Sequence, residues 1–379
     1  MLIQSIEHTK LDIIGDVHGE IEALNTLLKH LNYNEDGEHP EDRVLIFVGD
    51  LFDRGTNSWA VYKKVKHLMK KGRAFCIQGN HELNLLIPDP NFTDDRPKVK
   101  AGNEWFHGQV ELVNKDDPSS IQPQYLLHTQ QERDQIRNFL RPLPLAICAP
   151  GIRIVHACWD NDAIHEIQSK TQTADILFSK YEQQCTDRIA TQVRDYLNKN
   201  PEENTENLTP STWFKRQSRA HPIRIEAELI EQNQNPIKVI TSGKERRLGP
   251  HQAPYEAGKK TRYVKRDPWW TNYQDDQVVV FGHYWRKAPY PNDPIDLTPP
   301  EKRNIPATFS PEEGPLQWLG PKKNAMCVDY SVGKRFLERH HNLSSGKSGS
   351  YLACFRYTKT SDGFDAKLVF DNGNIETIL

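Results

Sequence analysis

Val44-Leu45-Ile46-Phe47-Val48-Gly49-Asp50-Leu51-Phe52-Asp53-Arg54-Gly55 is the stretch that decides how this chain is read. Five apolar residues in succession are the pattern of a central strand covered on both faces, and Asp50 sits just past the break. Four more apolar runs end the same way. Leu11 to Ile14 leads into Gly15-Asp16-Val17-His18-Gly19, Ala74 to Ile77 into Gly79-Asn80-His81-Glu82, Ile152 to Val155 into His156-Ala157, and Val278 to Phe281 into Gly282-His283. Between the first three runs, Ile21, Leu24, Leu28 and Leu31, and then Trp59, Tyr62, Val65, Leu68 and Met69, recur at helical spacing, the second series closing at Gly72. The first eighty residues therefore predict β-α-β-α-β, with polar groups on the loops at the carboxyl ends of strands, where such sheets bind ligands.

The polar groups share one chemistry. Carboxylate, imidazole and amide oxygen suit borderline divalent cations such as manganese, zinc or ferrous iron, and the absence of a thiolate cluster argues against a closed structural zinc site. Two cations roughly 3.5–4 Å apart need a ligand that reaches both, and an aspartate with two oxygens can do so; Asp50 is the candidate bridge. Two ions sharing a water acidify it, so the nucleophile is expected to come from solvent, without a phosphoenzyme. His81 can give a proton to a leaving oxygen near neutral pH. Asp53 would orient that imidazole. Arg54 offers a planar fork for two phosphoryl oxygens, a geometry lysine does not reproduce.

Taken together, Asp-x-His-Gly, Gly-Asp-x-x-Asp-Arg-Gly, Gly-Asn-His-Glu, Val-His-Ala and Gly-His, in this order, resemble the calcineurin-like metallophosphoesterases. Asp53-Arg54-Gly55 and Glu82 resemble the phosphoprotein phosphatase branch and its bacterial relatives, the diadenosine tetraphosphatases and the phosphatase module of polynucleotide kinase-phosphatases. The resemblance covers residues 11–87, returns at 152–160 and 278–286, and recurs loosely at 325–357. It implies that Asp16, His18 and Asp50 hold one divalent metal ion and that Asp50, Asn80, His156 and His283 hold a second. Manganese comes first, with iron, zinc, cobalt or nickel as alternatives. It also implies His81 as the acid, Arg54 as the phosphate clamp and a four-layer α/β/β/α sandwich. Two positions depart from the family pattern: Cys158 stands where His-Ala-Gly is common, and Tyr284 where Gly-His-Thr is common. No role is carried onto Asp329 in the late stretch Cys327 to Lys334.

Composition agrees with a globular enzyme. The chain has 379 residues with a net charge of -2, so no global field draws it to nucleic acid or membrane, and attraction to phosphate must be local. Six scattered cysteines without a C-x-x-C pair suggest reduced thiols. Met1 to Lys10 is too polar for a signal peptide, and no run approaches the ~18 apolar residues of a membrane span; a cytoplasmic location is the resulting expectation.

A single domain, 1–379, is expected, with a helical cap inserted at 161–275 and smaller insertions at 88–135 and 289–321. The cap begins rich in Gln, Asn and Glu and ends in a basic run, Lys244, Arg246, Arg247, Lys259, Lys260, Arg262, Lys265 and Arg266, expected as a solvated loop or else as a lid for a polyanion. Trp105, Phe106 and His107 of the first insertion are expected in a satellite core or else as one wall of the substrate cleft, the proline-rich 289–321 on the surface, Ala325 to Val328 and Tyr351 to Tyr357 in the second sheet, and Arg286 at the rim or else as a second phosphate contact. The functional expectation is a metal-dependent phosphomonoester hydrolase of the Ser/Thr protein phosphatase type. The alternative is a hydrolase of dinucleoside polyphosphates or nucleic-acid ends, and a catalytically silent binding domain is a third reading. The partner is a phosphorylated substrate: a phosphoprotein, a nucleotide or a small phosphoester.

Overall fold

The computed structural model describes residues 1–89, 98–100, 102–108, 125–257, 260–298 and 303–379. The central part of the 88–135 insertion, Lys259 of the basic run and residues 299–302 of the proline-rich insertion lie outside them.

The chain opens with β1 (Ile3–Ser5), β2 (Lys10–Ile14), α1 (Ile21–His30), β3 (Val44–Phe47), α2 (Ser58–Lys70), β4 (Ala74–Cys76) and α3 (Asn80–Leu86). It continues through α4 (Glu104–His107), α5 (Gln130–Leu140), β5 (Ala146–Ala149) and β6 (Ile152–Val155). A helical stretch follows, α6 (Asn161–Gln168), α7 (Ala174–Lys199), α8 (Pro210–Arg216), α9 (Pro222–Asn233) and α10 (Pro236–Ser242). Short strands β7 (Glu245–Arg247), β8 (Tyr255–Ala257), β9 (Lys260–Arg262) and β10 (Val264–Arg266) lead to β11 (Val278–Phe281), β12 (Ala325–Cys327), α11 (Arg335–His340), β13 (Ala353–Lys359), β14 (Phe364–Phe370) and β15 (Ile375–Thr377).

Two sheets carry the fold. One runs β15-β14-β13-β2-β3-β4 and the other β1-β5-β6-β11-β12. Alternate side chains of β2, β3, β6, β11, β12 and β13, among them Leu11, Ile13, Ile46, Ile154, Val280, Met326 and Phe355, meet in one buried layer between the sheets. The opposite face of the first sheet packs Ile14, Leu45, Phe47 and Cys354 against Leu24, Leu27 and Leu28 of α1, Val61 and Val65 of α2, and Ile136 of α5. The opposite face of the second packs Val155, Val279, Phe281 and Cys327 against Ile164 and Ile167 of α6, Leu177 of α7, Ile237 and Ile240 of α10, and Trp269 and Trp270. This is the α/β/β/α order, because a strand buried on both faces needs an apolar layer on each side. No described helix is long and apolar enough to cross a membrane.

Several local expectations change. Ala325–Cys327 does pair with β11 in the second sheet, but Ala353–Lys359 pairs antiparallel with β2 in the first. Asp12 on β2 receives Arg43 Nε at 2.9 Å and Arg356 Nε at 2.9 Å from β13, a charge-paired link across that register. Trp105 and Phe106 join the main helical core beside Phe52 rather than a satellite. Among its described residues, the proline-rich insertion buries Leu319 and stacks Phe309 on Trp270 at 4.9 Å, so it is partly a packing element. The far half of α7 builds a small core of its own with α8 and α9, around Ile189, Val193, Trp213 and Ile230.

Candidate active site

The strands deliver their loops to one place, and the backbone there is unusual. His18, Asp50, Asp53, Arg54 and His283 all have positive φ, between 46° and 73°, a region that costs non-glycine residues of order 1–3 kcal/mol and clusters at functional sites. Glycines make the close approach sterically feasible. A Cβ at Gly282 would collide with Asp16 Oδ1, and one at Gly79 with Asp50 Oδ1 and His156.

Asp50 stands at the centre. Its Oδ1 accepts the backbone N–H of His81 at 3.0 Å and lies 3.4 Å from His156 Nε2, while its Oδ2 lies 3.7 Å from His18 Nε2 and 3.9 Å from His81 Nε2. Burial works to raise the Asp50 carboxyl, but His156, His81 and His18 outweigh it and hold the group well below the usual carboxylate range. The potential ligand atoms of His18, Asp50 and His81 lie within 4.8 Å of one another, and so do those of Asp50, His156 and His283.

The remaining predicted residues join these two groups. Asn80 Oδ1 is 2.9 Å from His283 Nδ1 and 3.3 Å from His156 Nε2. Asp16 accepts the His283 backbone N–H at 3.1–3.2 Å and lies 3.9 Å from His18 Nε2. His18 donates from Nδ1 to the Phe52 carbonyl at 3.0 Å, and His156 from Nδ1 to the Val48 carbonyl at 2.8 Å. Each ring is thereby oriented with Nε2 toward the site, the arrangement typical of ligating histidines. Burial opposes a charge on His156, yet Asp50, with Asp16 and Glu82 behind it, pushes its pKa up to about 10. For His283, burial followed by Arg266 and His156 depresses the imidazole well below its ordinary value.

Beside the ligand groups, His81 Nδ1 donates to Asp53 Oδ2 at 2.6 Å, and Arg54 donates from its two terminal nitrogens to His18 Nε2 and His81 Nε2, each at 3.1 Å. Sequence reasoning missed three residues that hold this arrangement. Trp105 Nε1 donates to Asp53 Oδ1 at 2.7 Å, so an aromatic of the 88–135 insertion fixes the carboxylate that orients His81. Glu82 accepts the backbone N–H groups of Asp50, Leu51 and Gly79 at 2.7–2.8 Å, tying the Asp50 turn to the first turn of α3. Burial first and Asp50 second raise its pKa to about 7. Asp329, left without a role by the sequence, is buried in the site. Its Oδ1 accepts the Ser331 N–H at 2.8 Å, and its Oδ2 has no hydrogen-bond partner among the described residues. A carboxylate pattern alone does not reveal the Trp105–Asp53 contact or the hold of Glu82 on the Asp50 turn, since each joins segments more than thirty residues apart in sequence.

Trp105→Phe keeps the buried ring and removes only the N–H. Its expected effect is a fall in kcat on the order of tenfold, with KM little changed, because a displaced acid loses part of the 10²–10⁴-fold that such groups contribute. Steady-state kinetics on an alkyl phosphate checks it; an unchanged kcat would mean Asp53 holds the imidazole without the indole.

Two other expectations are corrected here. Arg286 is neither a rim charge nor a phosphate contact. It is buried, donates to the Gly314 carbonyl, and packs its guanidinium over Phe309 and Tyr330 at 5.1 and 5.8 Å. The described part of the basic run is strand-forming rather than a free loop, with Lys244, Arg246, Arg247 and Arg262 paired to Asp160, Asp267, Glu226 and Glu245. Arg266 reaches the site, donating to the His283 carbonyl at 3.4 Å. Cys158 is buried, and that burial pushes its thiol well up, which disfavours the reactive thiolate.

The donor set fits cations. Asp16, Asp50, Glu82 and Asp329 are buried together; burial, then Asp329, raises Asp16 well above the carboxylate range, and one Asp329 oxygen has no hydrogen-bond partner among the described residues. Crowded buried carboxylates of this kind are expected around metal ions.

Comparison with known proteins agrees with this chemistry. Residues 9–286 match the family model of calcineurin-like phosphoesterases, whose members use a dinuclear divalent metal centre. The chain is 34% identical over 146 residues to the asymmetrical bis(5'-nucleosyl)-tetraphosphatase PrpE of Oceanobacillus iheyensis, covering 38% of this chain and 56% of the relative. It is 45% identical over 119 residues to that of Halalkalibacterium halodurans, covering 31% and 47%. The chain thus spans about half the length of these curated relatives. A solved protein serine/threonine phosphatase from Saccharomyces cerevisiae aligns over 100% of this chain and 84% of its own, at 12% identity and a TM-score of 0.43.

Proposed function

The chain belongs to the calcineurin-like phosphoesterases, and from that premise we propose that it hydrolyses dinucleoside polyphosphates at a two-metal site centred on Asp50. Membership of the family supports hydrolysis of phosphoesters; the activity itself, the substrate, the residue roles and manganese as the metal are our reading. The observation that carries it is that both metal-capable groups share Asp50.

Asp16, His18 and Asp50 would hold one ion, and Asp50, Asn80, His156 and His283 the other. Such a pair, when bound, acidifies a water and neutralises phosphoryl charge. The chain's own residues do the rest. Arg54 turns its fork from His18 and His81 to two phosphoryl oxygens, and in doing so releases both Nε2 atoms. Asp53, itself held by Trp105 and the Ser58 hydroxyl, keeps His81 Nδ1 engaged so that Nε2 faces the leaving oxygen with its proton. A leaving nucleotide departs with less need of that proton than an alkoxide does, so His81 should matter most for simple esters.

The substrate reading passes from phosphoproteins, placed first on the Asp53-Arg54 and Glu82 motifs, to dinucleoside polyphosphates because relatives 34% and 45% identical over 146 and 119 residues carry that name. A panel of diadenosine tetraphosphate, a phosphoserine peptide and para-nitrophenyl phosphate, assayed with manganese, tests it. Diadenosine tetraphosphate is expected to show the largest kcat/KM; a preference for the peptide would overturn the substrate assignment, and no turnover of any of the three would overturn the enzyme.

A further inference from the structure

Two residues beyond His283, Trp285 is an exposed large apolar side chain, with 43% of its surface open, directly beside a site whose aromatic neighbours Tyr284 and Trp105 are buried. Part of that indole faces water beside the predicted phosphate-binding residues, so ring surface remains open to a ligand. Its surroundings are cationic. The Arg54 guanidinium carbon lies 4.9 Å from the ring centroid and Lys334 Nζ 4.5 Å, so one ring steadies the predicted phosphate clamp and a second positive group together.

Lys334 comes from a different part of the chain, the turn before α11. That turn is pressed against the site: Ser331 has a φ of 64°, and Gly333 approaches His18 so closely that a Cβ there would strike the ring. Lys334 also stands near enough to Asp329 to act on it electrostatically, as Arg54 does. The mouth of the site therefore presents two cations on a common aromatic support, with part of the indole still open.

A monoester has one phosphoryl group and needs one clamp. We propose that Trp285 and Lys334 form a leaving-group subsite for nucleoside polyphosphates, Lys334 taking the phosphate next to the one attacked and the open indole surface packing against the base. The inference rests on the substrate reading above and adds the residues that would select it. Stacking of a base on an aromatic side chain is worth about five- to a hundred-and-fiftyfold in affinity.

The test compares Trp285→Ala, Trp285→Phe and Lys334→Met with the unaltered enzyme on diadenosine tetraphosphate, inorganic tripolyphosphate and para-nitrophenyl phosphate. Trp285→Ala is expected to lower kcat/KM for diadenosine tetraphosphate, relative to para-nitrophenyl phosphate, by about tenfold, chiefly through KM, with most of the loss restored in Trp285→Phe. Lys334→Met is expected to lower the relative rates on both polyphosphates, base or no base. Equal losses on all three substrates would show that the ring only steadies Arg54, and unchanged ratios would show that there is no subsite; either overturns the proposal. If the unaltered enzyme cleaves para-nitrophenyl phosphate but not diadenosine tetraphosphate, the substrate reading fails, and the subsite is then judged by ATP as an inhibitor of that cleavage. An inhibition constant raised about fivefold or more in Trp285→Ala and Lys334→Met supports it, and an unchanged one refutes it.

Discussion

Asp50→Ala is expected to lose both bound metal equivalents and all measurable hydrolysis in a single step. The two oxygens of this carboxylate face different histidine sets, Oδ1 toward His156 and Oδ2 toward His18 and His81, and among the described residues no other side chain belongs to both metal-capable groups. Removing it leaves each group one anionic ligand short and deprives three histidines of the charge they surround. Loss of a group that only hydrogen-bonds to a metal ligand costs about 10–100-fold in metal affinity; loss of a shared ligand should exceed that for both ions together. Elemental analysis of the purified variant beside the unaltered protein checks the result. Two equivalents of metal retained in Asp50→Ala would refute the bridge, whatever happened to activity.

His81→Ala should behave in the opposite way, keeping its metal and losing rate. On alkyl phosphates the expected fall is on the order of 10²–10⁴ in kcat, the range for a general acid, and it should shrink when the leaving group is nitrophenolate, which departs without a proton. The prediction has a competitor built into the geometry. His81 Nε2 lies near enough to His18 and Asp50 to serve as a ligand, although Nδ1 is engaged by Asp53 and Nε2 by Arg54. A ligand role would cost metal and would slow good and poor leaving groups alike. Measuring metal content and the leaving-group dependence on one preparation separates the two roles.

Much of this site was legible before any coordinates, because each ligand candidate follows a strand and strand order is locally encoded. The apolar runs ending at Asp16, Asp50, Asn80, His156 and His283 became β2, β3, β4, β6 and β11, close to the predicted limits. The positive φ values at Asp50, Asp53 and Arg54 explain why glycines bracket that segment, since the turn needs residues that pack closely around a strained backbone.

What could not be read depended on contacts between distant segments. The sheet that β13 joins is decided by its register with β2, and an alternating pattern at 353–359 fits either sheet. Arg286 looked like a surface charge because sequence does not show a carbonyl and two aromatic faces waiting for it. The basic run looked free because two of its partner acids, Asp160 and Glu226, lie well upstream and the other two, Glu245 and Asp267, find Arg262 and Arg246 only once the strands pair. Trp105 and Asp329 carry no motif of their own; their meaning comes only from Asp53 and the metal-ligand cluster.

Anomalous diffraction from crystals of this protein grown with manganese tests the two-metal site most directly. Two peaks per chain, about 3.5–4 Å apart with an Asp50 oxygen on each, are expected. A single peak, or a pair that does not share Asp50, would contradict it.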